Sequence, residues 1–415
     1  MDVLSLPTML QAFFAFASSL LSLPQRRLLY QLTLAWLLGS KGKLVRAARI
    51  TTGKHRTSLA RFLNKSDWDA VAILNQFALG VLQAMRPRAG EILNLILDDT
   101  RVAKRGRKMP AVKKLWDHVG KQYIRGHIVV TAVIVFRGVT LPWRFTLWLP
   151  EEYCRQHKIK FRRQTDIAAE LIRAFVPPKG VKVRVLFDAF YLCKPVTAAC
   201  ESRGFTWFSV ASRNRLLQRG GKPNQTIGDL GPGTLKHHGQ RIRMKRDRGW
   251  RWMRIAAVDG RLKKIGAVRV VFSKRPRDPW KAMVAFVTNE TRLSARAVVA
   301  SYERRWAIEV VFKELKGTLG LGEYQMQTRQ GIERHLHVCG LAHLALTHHS
   351  LRTVGAQAKV ASKDVPLPKF RDRLESLRTE VRRDRANRFA NRIRHKKIRK
   401  RVREHLLNEE EKCSV

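Results

Sequence analysis

The sequence predicts a mixed α/β fold, in which a helical region precedes a central sheet that carries a mostly β insertion. Residues 1–90 place apolar side chains at helical spacing, as at Leu28, Leu32 and Trp36. From residue 91 the pattern changes to short apolar runs separated by turns and by one helical stretch. The 415 residues are 45% hydrophobic, which suffices for a folded core and excludes wholesale disorder.

Net charge is the strongest feature of the composition. Lys and Arg number 82 against 32 Asp and Glu, which gives a formal charge of +50. This excess indicates a polyanionic partner, because each cation placed on a phosphate releases a condensed counterion. An anionic membrane surface is the alternative. It is disfavoured, since the basic residues are spread over the whole chain rather than gathered on one amphipathic helix.

The first 27 residues are apolar enough to raise the question of a membrane segment. They contain Asp2 and lack the early basic residues with which a signal peptide begins. Gln11, several serines and Pro24 interrupt the run before it reaches the ~20 apolar residues of a membrane span. We therefore expect a core helix here and no membrane association.

Residues 1–90 also contain a candidate DNA-binding element. A short helix over Leu44–Ile50 is followed by a break at Thr51-Thr52-Gly53 and by a second basic helix over Arg56–Asn64. In length and charge this resembles a helix-turn-helix. A solvated basic face is the alternative reading, and the sequence leaves both open.

The cysteines indicate a reducing compartment. They are odd in number and include no CxxC pair: Cys154, Cys193, Cys200, Cys339 and Cys413. This argues against a disulfide scaffold or a zinc ribbon and fits the cytoplasm. His335, Cys339 and His343 recur every four residues, but on one straight helix the outer two lie ~12 Å apart. We interpret these three as packing residues.

Acidic residues end two of the predicted strands in residues 91–212. Asp98 and Asp99 close the run EILNLILDDT, and Asp188 closes VKVRVLFDAF. If these strands are parallel neighbours, their carboxylates meet at the carboxyl ends, where open α/β sheets bind ligands. Mg²⁺ prefers such oxygen ligands. The alternative is that each aspartate only caps the turn after its strand. Arg137-Gly138 separates two further strand runs and predicts a hairpin.

The remaining regions are assigned by composition. Residues 213–284 read as a mostly β insertion with a turn at Gly231-Pro232-Gly233. Helices return over 285–350. Residues 351–415 form a basic tail, in which 381–403 hold 12 Lys or Arg among 23 residues.

One predicted helix carries a charged stripe. Tyr302, Arg305, Glu309 and Lys316 stand at offsets 0, 3, 7 and 14, which at ~100° per residue share an arc of about 60°. A carboxylate for a metal and donors for phosphates would then lie side by side. The alternative is an ordinary surface pair of Arg305 and Glu309. The order of the acidic residues in a chain of charge +50 favours the functional interpretation.

These motifs resemble a known family. The pattern Y-x2-R-x3-E-x6-K, matched by Tyr302, Arg305, Glu309 and Lys316, is similar to the signature of cut-and-paste bacterial insertion-sequence transposases with an RNase H-like DDE core. LILDDTRVAKRG resembles the first-aspartate region of that family, LFDAFYL the second, and AFVTNET its last strand. The resemblance covers about 91–350, whereas the helical region and the tail match in character only.

The resemblance implies a metal-binding catalytic triad of Asp98, Asp188 and Glu309. Asp98 is favoured for the first position because a D-x-T pattern then includes Thr100. Asp99 is the fallback, and strand alternation would point the two aspartates to opposite sides.

The resemblance also implies binding residues. Tyr302, Arg305 and Lys316 would hold the cleaved DNA end. In such relatives a tryptophan of the insertion stacks on a flipped base, which makes three residues candidates here: Trp250, Trp252 and Trp280.

By the same resemblance, the expected function is DNA transposition with Mg²⁺ as cofactor and Mn²⁺ as an acceptable substitute. The partners would be double-stranded DNA, as terminal inverted repeats and as target, and a second copy of the chain, because two ends are cut together. The expected location is the bacterial cytoplasm, at the nucleoid. Two alternatives remain open: an RNase H-like nuclease or resolvase that cuts without joining, and a non-catalytic DNA-binding derivative.

Overall fold

The computed structural model describes residues 8–391, apart from 18–19, 52–54, 107, 118–119, 247–248 and 356–363, together with 404–405. The chain begins with five helices: α1 (Thr8–Phe14), α2 (Leu23–Leu37), α3 (Leu44–Thr51), α4 (Arg56–Asn64) and α5 (Ala70–Ala84). The predicted pair of short basic helices is confirmed as α3 and α4. Thr51, expected in the break, is instead the last residue of α3, and Thr52 and Gly53 lie outside the described residues. No described helix is long and apolar enough to cross a membrane.

Local sequence explains where these helices begin. Pro24 lies in the first turn of α2, where its missing N–H sacrifices no helical hydrogen bond. Asp69 caps α5, since its Oδ1 accepts hydrogen bonds from the N–H groups of Val71 at 2.8 Å and Ala72 at 3.0 Å. The apolar faces of the helices, including the ring of Phe77, are buried in the core.

The first part of the sheet contains the predicted hairpin. Its elements are β1 (Ile92–Ala103), β2 (Lys113–Asp117), β3 (Gln122–Phe136), β4 (Val139–Trp148), α6 (Glu151–Gln156), α7 (Gln164–Ala174), β5 (Lys182–Leu186), α8 (Lys194–Ser202) and β6 (Thr206–Val210). The turn between β3 and β4 is made by Arg137 and Gly138, with φ of 46° and 77°. Two consecutive positive φ values are typical of the tight turn that matches strand twist.

Residues 213–284 continue the same sheet. Their elements, with the strand that follows, are β7 (Leu216–Arg219), β8 (Lys222–Thr226), α9 (Ile227–His238), β9 (Gln240–Arg246), β10 (Gly249–Leu262), β11 (Gly266–Lys274) and β12 (Val284–Thr288). The strand order is β2-β3-β1-β5-β6-β12-β11-β10-β7-β8, with β4 paired to β3 and β9 to β10. Strands β1, β5 and β6 are parallel. This mixed α/β arrangement confirms the expected fold class.

One predicted turn is a helix instead. Gly231-Pro232-Gly233 lies inside α9, whose first turn is capped by Thr226: its Oγ1 accepts a hydrogen bond from the N–H of Asp229 at 3.1 Å. A Cβ added to Gly231 would sit 2.2 Å from the Cε of Met283. The glycine therefore allows close packing rather than a turn, and the burial of the helix outweighs the cost of an internal proline.

Four helices complete the described chain: α10 (Ala295–Glu303), α11 (Ala307–Gly317), α12 (Arg329–Gly355) and α13 (Phe370–Ala390). Helix α12 packs against α2, α5 and β4 and so joins the helical region to the sheet. Trp36 Nε1 donates to Cys339 Sγ at 3.2 Å. Arg334 donates to the carbonyl oxygens of Leu63 at 3.1 Å and Trp68 at 2.8 Å. The end of α4 thus depends on a guanidinium from far along the chain.

The repeated histidine and cysteine positions on α12 are buried packing residues, as expected. His335 Nε2 lies 3.0 Å from the carbonyl oxygen of Gly320, and His343 Nε2 lies 2.9 Å from Glu314 Oε2. Burial lowers the pKa of His335 to about 4. These contacts tie α12 to the end of α11 and to the segment that follows it.

Part of the predicted basic tail forms helix α13, and the first residues of the tail belong to the end of α12. One face of α13 buries Leu374, Leu377 and Val381. Arg378 Nε donates to the carbonyl oxygen of Leu37 at 2.9 Å, so this helix is also attached to α2. The densely basic residues 392–403 lie outside the described part of the chain.

Candidate active site

Asp188 follows the end of β5, but Asp98 and Asp99 lie inside β1, which continues to Ala103 in its pairing with β3, so the prediction that these two aspartates end their strand is wrong. Strands β1 and β5 are parallel neighbours, and Ile96 lies opposite Leu186 in their register. Asp98 and Asp188 stand two residues further along, at the same level. This level is just beyond the carboxyl end of β5, where its parallel pairing with β1 stops, and open α/β sheets bind ligands at such an edge.

Asp98 is largely buried among charged groups. Its Oδ2 accepts a hydrogen bond from Arg305 Nη1 at 2.7 Å, and its Oδ1 accepts one from the N–H of Asp99 at 2.9 Å. Burial raises the pKa of Asp98 to about 7; Arg305 opposes this rise, and Asp188 and Asp99 add to it. A carboxyl group destabilised by burial and by neighbouring carboxylates gains from any added positive charge.

Asp188 and Asp99 are held by different partners. Asp188 Oδ1 accepts hydrogen bonds from the N–H groups of Phe190 at 3.0 Å and Tyr191 at 3.3 Å, which caps the 3₁₀ turn after β5. Asp99 Oδ1 accepts a hydrogen bond from the hydroxyl of Tyr191 at 3.3 Å. Asp98 therefore contacts Arg305 while Asp99 contacts Tyr191, which separates the two candidates for the first position.

Tyr191 is a residue of this site that the motifs do not identify. Its side chain is fully buried, and burial together with Asp99 raises the pKa of its phenol well above the usual value. The phenol therefore remains a neutral donor. Its place three residues after Asp188 was visible in LFDAFYL, but its partner lies 92 residues away in the chain.

The charged stripe does not lie on one continuous helix. A 3₁₀ turn over Arg304–Trp306 separates α10 from α11, so Tyr302 lies on the first helix while Glu309 and Lys316 lie on the second. A 3₁₀ turn is tighter than an α-helix, so a constant 100° step does not hold across it. The structure keeps Arg305 beside Glu309 and separates the ends of the stripe.

Arg305 bridges two of the predicted metal ligands. Its Nη1 donates to Asp98 and its Nη2 to Glu309 Oε1. The side chains of Arg305 and Asp98 are only 15% and 17% exposed, which marks a desolvated pair rather than an ordinary surface pair. Through this guanidinium, Glu309 and Asp98 come together although they are far apart in sequence.

The donor set suits a divalent cation, because carboxylate oxygens are the ligands that hard metal ions prefer. Among the described residues, no three or more His, Cys, Asp or Glu side chains are arranged so that they could hold a metal ion as they stand. The guanidinium of Arg305 lies between two of the carboxylates and supplies positive charge there.

The other two residues of the stripe have separate contacts. The ring of Tyr302 lies 5.3 Å from that of Phe286 on β12 and 5.9 Å from the guanidinium carbon of Arg305. Lys316 Nζ donates to the carbonyl oxygen of Arg101 on β1 at 2.8 Å. Tyr302 thus borders the carboxylates, whereas Lys316 reaches β1 beyond them.

Two of the three candidate tryptophans form an exposed ladder with arginines. Trp250 and Trp252 lie on β10 and are 55% and 48% exposed. The guanidinium carbon of Arg243 lies 5.4 Å from the Trp250 ring, and that of Arg241 lies 4.7 Å from the Trp252 ring. We call these four residues the β9–β10 ladder. Rings beside cations on an open face are typical of surfaces that bind nucleic acid.

The helical region also presents cations. Those on and beside α3 and α4 whose side chains are exposed are Lys43, Arg46, Arg49, Arg56, Arg61 and Lys65. The interior of the same pair of helices is apolar, with Leu59 and Phe62 fully buried. This division fits a DNA-binding face on a packed helical unit.

Fold and site together define an RNase H-like protein with carboxylates at the carboxyl edge of its parallel strands. The family model for DDE superfamily endonucleases matches residues 17–265, more than half of the chain. The chain belongs to this family, whose members use divalent metals. The match ends before Glu309, so the assignment of the glutamate depends on the contacts described above.

A curated relative points in the same direction. The probable transposase for insertion sequence element IS701 of Microchaete diplosiphon is 32% identical over 146 residues. The match covers 35% of this chain and 37% of the relative, so the chain spans little more than a third of the relative's length.

Proposed function

We propose that this chain is a DNA transposase that cleaves DNA at the ends of an insertion sequence and joins those ends to target DNA. The observation that carries the proposal is the carboxylate cluster: Asp98 and Glu309 share Arg305, and Asp188 lies level with Asp98 on the neighbouring strand. The cluster occurs in a DDE-family chain of charge +50, which suits a phosphodiester substrate.

In this proposal Asp98, Asp188 and Glu309 hold Mg²⁺, or Mn²⁺ in its place. When bound, the metal stabilises charge on the phosphodiester and lowers the pKa of the attacking water. The chain orients the ligands: two backbone N–H groups fix Asp188, and the N–H of Asp99 fixes Asp98. Arg305 keeps Asp98 and Glu309 together; a divalent cation would compete for the two carboxylates, and a phosphate would compete for the guanidinium.

The proposal gives each region of the chain a separate role. The α3–α4 face would read the terminal inverted repeats, and Tyr302, Arg305 and Lys316 would hold the cleaved end. The β9–β10 ladder would stack an unpaired base, and the tail would add salt-dependent affinity. The regions are 1–90 for DNA binding, 91–212 and 285–350 for the catalytic core, 213–284 for the insertion and 351–415 for the tail.

A homodimer on DNA follows from the reaction, because two ends must be cut together. The same substrate assigns the protein to the nucleoid of a bacterial cytoplasm. Light scattering of complexes with one or two end fragments measures the number of chains per DNA. A complex with two ends and a single chain would contradict the dimer.

The central test is a cleavage and joining assay. The substrate is duplex DNA carrying the inverted repeats that flank the gene, incubated with Mg²⁺, Mn²⁺ or EDTA. We expect metal-dependent cutting and joining by the wild type, and loss of both in Asp188→Asn and Glu309→Gln with DNA binding retained. Glu152→Gln, which removes an exposed carboxylate on α6, is the matched control and should remain active.

The outcomes separate the alternatives. Cutting without joining would support a nuclease or resolvase instead. Tight binding without any cutting by the folded wild type would contradict the catalytic proposal and leave a DNA-binding derivative.

A further inference from the structure

The β2–β3 hairpin exposes an aromatic and basic face that none of the motifs assigns. In its register Trp116 lies opposite Tyr123, and Lys114 lies opposite Arg125. Because side chains alternate along a strand, all four share one face. Trp116 is 41% exposed and Tyr123 is 63% exposed, so neither ring belongs to the core. We call these four residues the β2–β3 face.

The four side chains are organised like those of the β9–β10 ladder. The rings of Trp116 and Tyr123 meet edge to face with centroids 5.1 Å apart. Lys114 Nζ lies 4.5 Å from the centre of the Tyr123 ring. None of the four is acidic, and exposed rings on a folded chain commonly mark interaction sites. Cations beside rings match the phosphates and the bases of a nucleic acid.

The register shows where this face lies. Asp98 on β1 pairs with Thr131 on β3, and the two strands run in opposite directions. Tyr123 precedes Thr131 by eight residues, so at ~3.3 Å per residue it lies ~26 Å beyond Asp98. The β2–β3 hairpin therefore projects from the carboxyl edge of the sheet.

The β9–β10 ladder projects from the same edge. Leu186 pairs with Phe208, so Val210 on β6 is level with Asp188. From Val210 the pairing continues through Phe286 on β12 and Val271 on β11 to Ala257 on β10, so Ala257 is level with Asp188 too. Trp252 lies five residues before Ala257, on a strand antiparallel to β5. It therefore stands ~16 Å beyond the carboxylates along its own strand. Its odd offset from Ala257 places the Trp252 ring on the other face of the sheet from Asp188, whereas Tyr123, an even eight residues from Thr131, shares the face of Asp98.

The carboxylates lie between the two projections. Six strand spacings separate β3 from β10, and both β1 and β5 fall between them. At ~4.8 Å per spacing, strands β3 and β10 are ~29 Å apart across the sheet, and the twist of the sheet turns the directions of the two hairpins apart. DNA lying along this edge would cover that distance with ~8–9 base pairs, at ~3.4 Å per step.

We propose that the β2–β3 face binds DNA on one side of the cut while the β9–β10 ladder holds it on the other. Lys114 and Arg125 take phosphates, and Tyr123 with Trp116 offers a stacking surface for a base. DNA is the occupant rather than a second chain, because the exposed cations Lys114 and Arg125 stand beside the two rings and match phosphates and bases. The inference rests on the proposed function, since it takes the carboxylates as the point of cutting.

Photo-cross-linking tests the geometry. Tyr123, Trp252 or Lys182 is replaced singly by p-benzoylphenylalanine in Glu309→Gln, which keeps the end DNA uncut. Lys182 is exposed at the opposite edge of the sheet and is the control. We expect cross-links from positions 123 and 252 on opposite sides of the scissile position, separated by on the order of one helical turn, and none from 182.

Several results would overturn the inference. These are no DNA cross-link from position 123 while position 252 reacts, cross-links from both on the same side, or a cross-link from 123 to a second chain. Wild-type cleavage is scored separately. Cross-links that flank a position the wild type never cuts would leave the two-sided grip standing and remove the catalytic proposal.

Salt dependence provides a second measurement that needs no cross-linker. In Lys114→Gln/Arg125→Gln the slope of log affinity against log salt should fall by about 1.8, because two phosphate contacts are lost. The control Lys179→Gln/Lys182→Gln removes two exposed cations at the other edge and should leave the slope unchanged. An unchanged slope in the first variant would contradict the proposal.

Discussion

The carboxylate cluster and the β9–β10 ladder lie on the same edge of one sheet, and both set guanidinium groups against electron-rich partners. Their surroundings differ. Arg305 and Asp98 are 15% and 17% exposed, whereas Trp250 and Trp252 are 55% and 48% exposed. The first pair is held in a desolvated pocket and the second lies open to water.

In the proposed function, this difference lets one edge of the sheet serve two purposes. Desolvation strengthens charge interactions and fixes geometry, which bond breaking requires. Exposed rings and cations are weaker and adjustable, and they tolerate any base because every base has a stackable face. Damage to the cluster should therefore abolish the reaction, whereas damage to the ladder should weaken it by degrees.

The largest expected effect separates Asp98 from Asp99. Asp98→Asn should reduce the cleavage rate by about 10²–10³-fold or more, because it removes the carboxylate that shares Arg305 with Glu309. Asp99→Asn should keep the rate within about tenfold, since Asp99 contacts Tyr191 instead. Single-turnover cleavage at saturating protein measures both. The reverse ranking would make Asp99 the ligand.

Removal of Arg305 should lower the free energy of unfolding, because the carboxylates of the cluster then lack a neighbouring cation. Without metal, Arg305→Ala should lose about 3 kcal/mol of unfolding free energy, because buried carboxylates lose their cation. Mg²⁺ should restore much of this loss and raise Tm more in the variant than in the wild type. Arg304→Ala is the control, since Arg304 is half exposed and its ion pair with Asp364 is long, at 3.9 Å. Equal Mg²⁺ effects in both variants would contradict the bridging role.

The contribution of a ladder tryptophan to DNA affinity should depend on the number of bases that stack on it. Trp252→Ala should weaken binding of single-stranded end DNA by about 5- to 150-fold, which corresponds to ~1–3 kcal/mol per base. Trp280→Ala should change it less, because Lys274 beside that ring is engaged with backbone carbonyl oxygens. Fluorescence anisotropy at fixed salt measures both affinities. If Trp280 proves dominant, the ladder is not the stacking surface.

The smallest expected effect is that of a single ladder cation. Arg243→Gln should lower the slope of log affinity against log salt by about 0.9 for duplex DNA, with a change of only a few-fold at low salt. Cleavage at saturating protein should be unaffected, because Arg243 is far from the carboxylates across the sheet. A loss of cleavage at saturation would mean that ladder and cluster are not independent.

The sequence alone predicts the parts of this molecule that depend on local pattern. The apolar runs before Asp98 and Asp188 predict two parallel strands, although β1 continues past Asp98 to Ala103, and Arg137-Gly138 predicts the hairpin. The sequence predicts less well those elements whose conformation depends on packing against distant segments. The triplet at Gly231 reads as a turn, yet the close approach of Met283 makes it part of a helix.

The same distinction between local pattern and distant contacts holds for the candidate site. Spacing alone connects Arg305 with Glu309, four residues apart. It does not reveal that Arg305 also holds Asp98, 207 residues away, or that Tyr191 holds Asp99. The 3₁₀ turn at Arg304–Trp306 is equally hidden, since nothing in the residue pattern marks it. Contacts between distant segments are set by the sheet, and only its topology makes them visible.

The docking of Arg334 has a consequence for how the chain is made. The carbonyl oxygen of Trp68 accepts a hydrogen bond from Arg334, which follows it by 266 residues. At ~5–20 residues per second, Arg334 is synthesised on the order of ten to fifty seconds after Trp68. Until then the end of α4 and the segment after it lack the guanidinium that binds their carbonyl oxygens. Chains that terminate before Arg334 should therefore leave this segment incompletely packed and be degraded more readily than the finished protein.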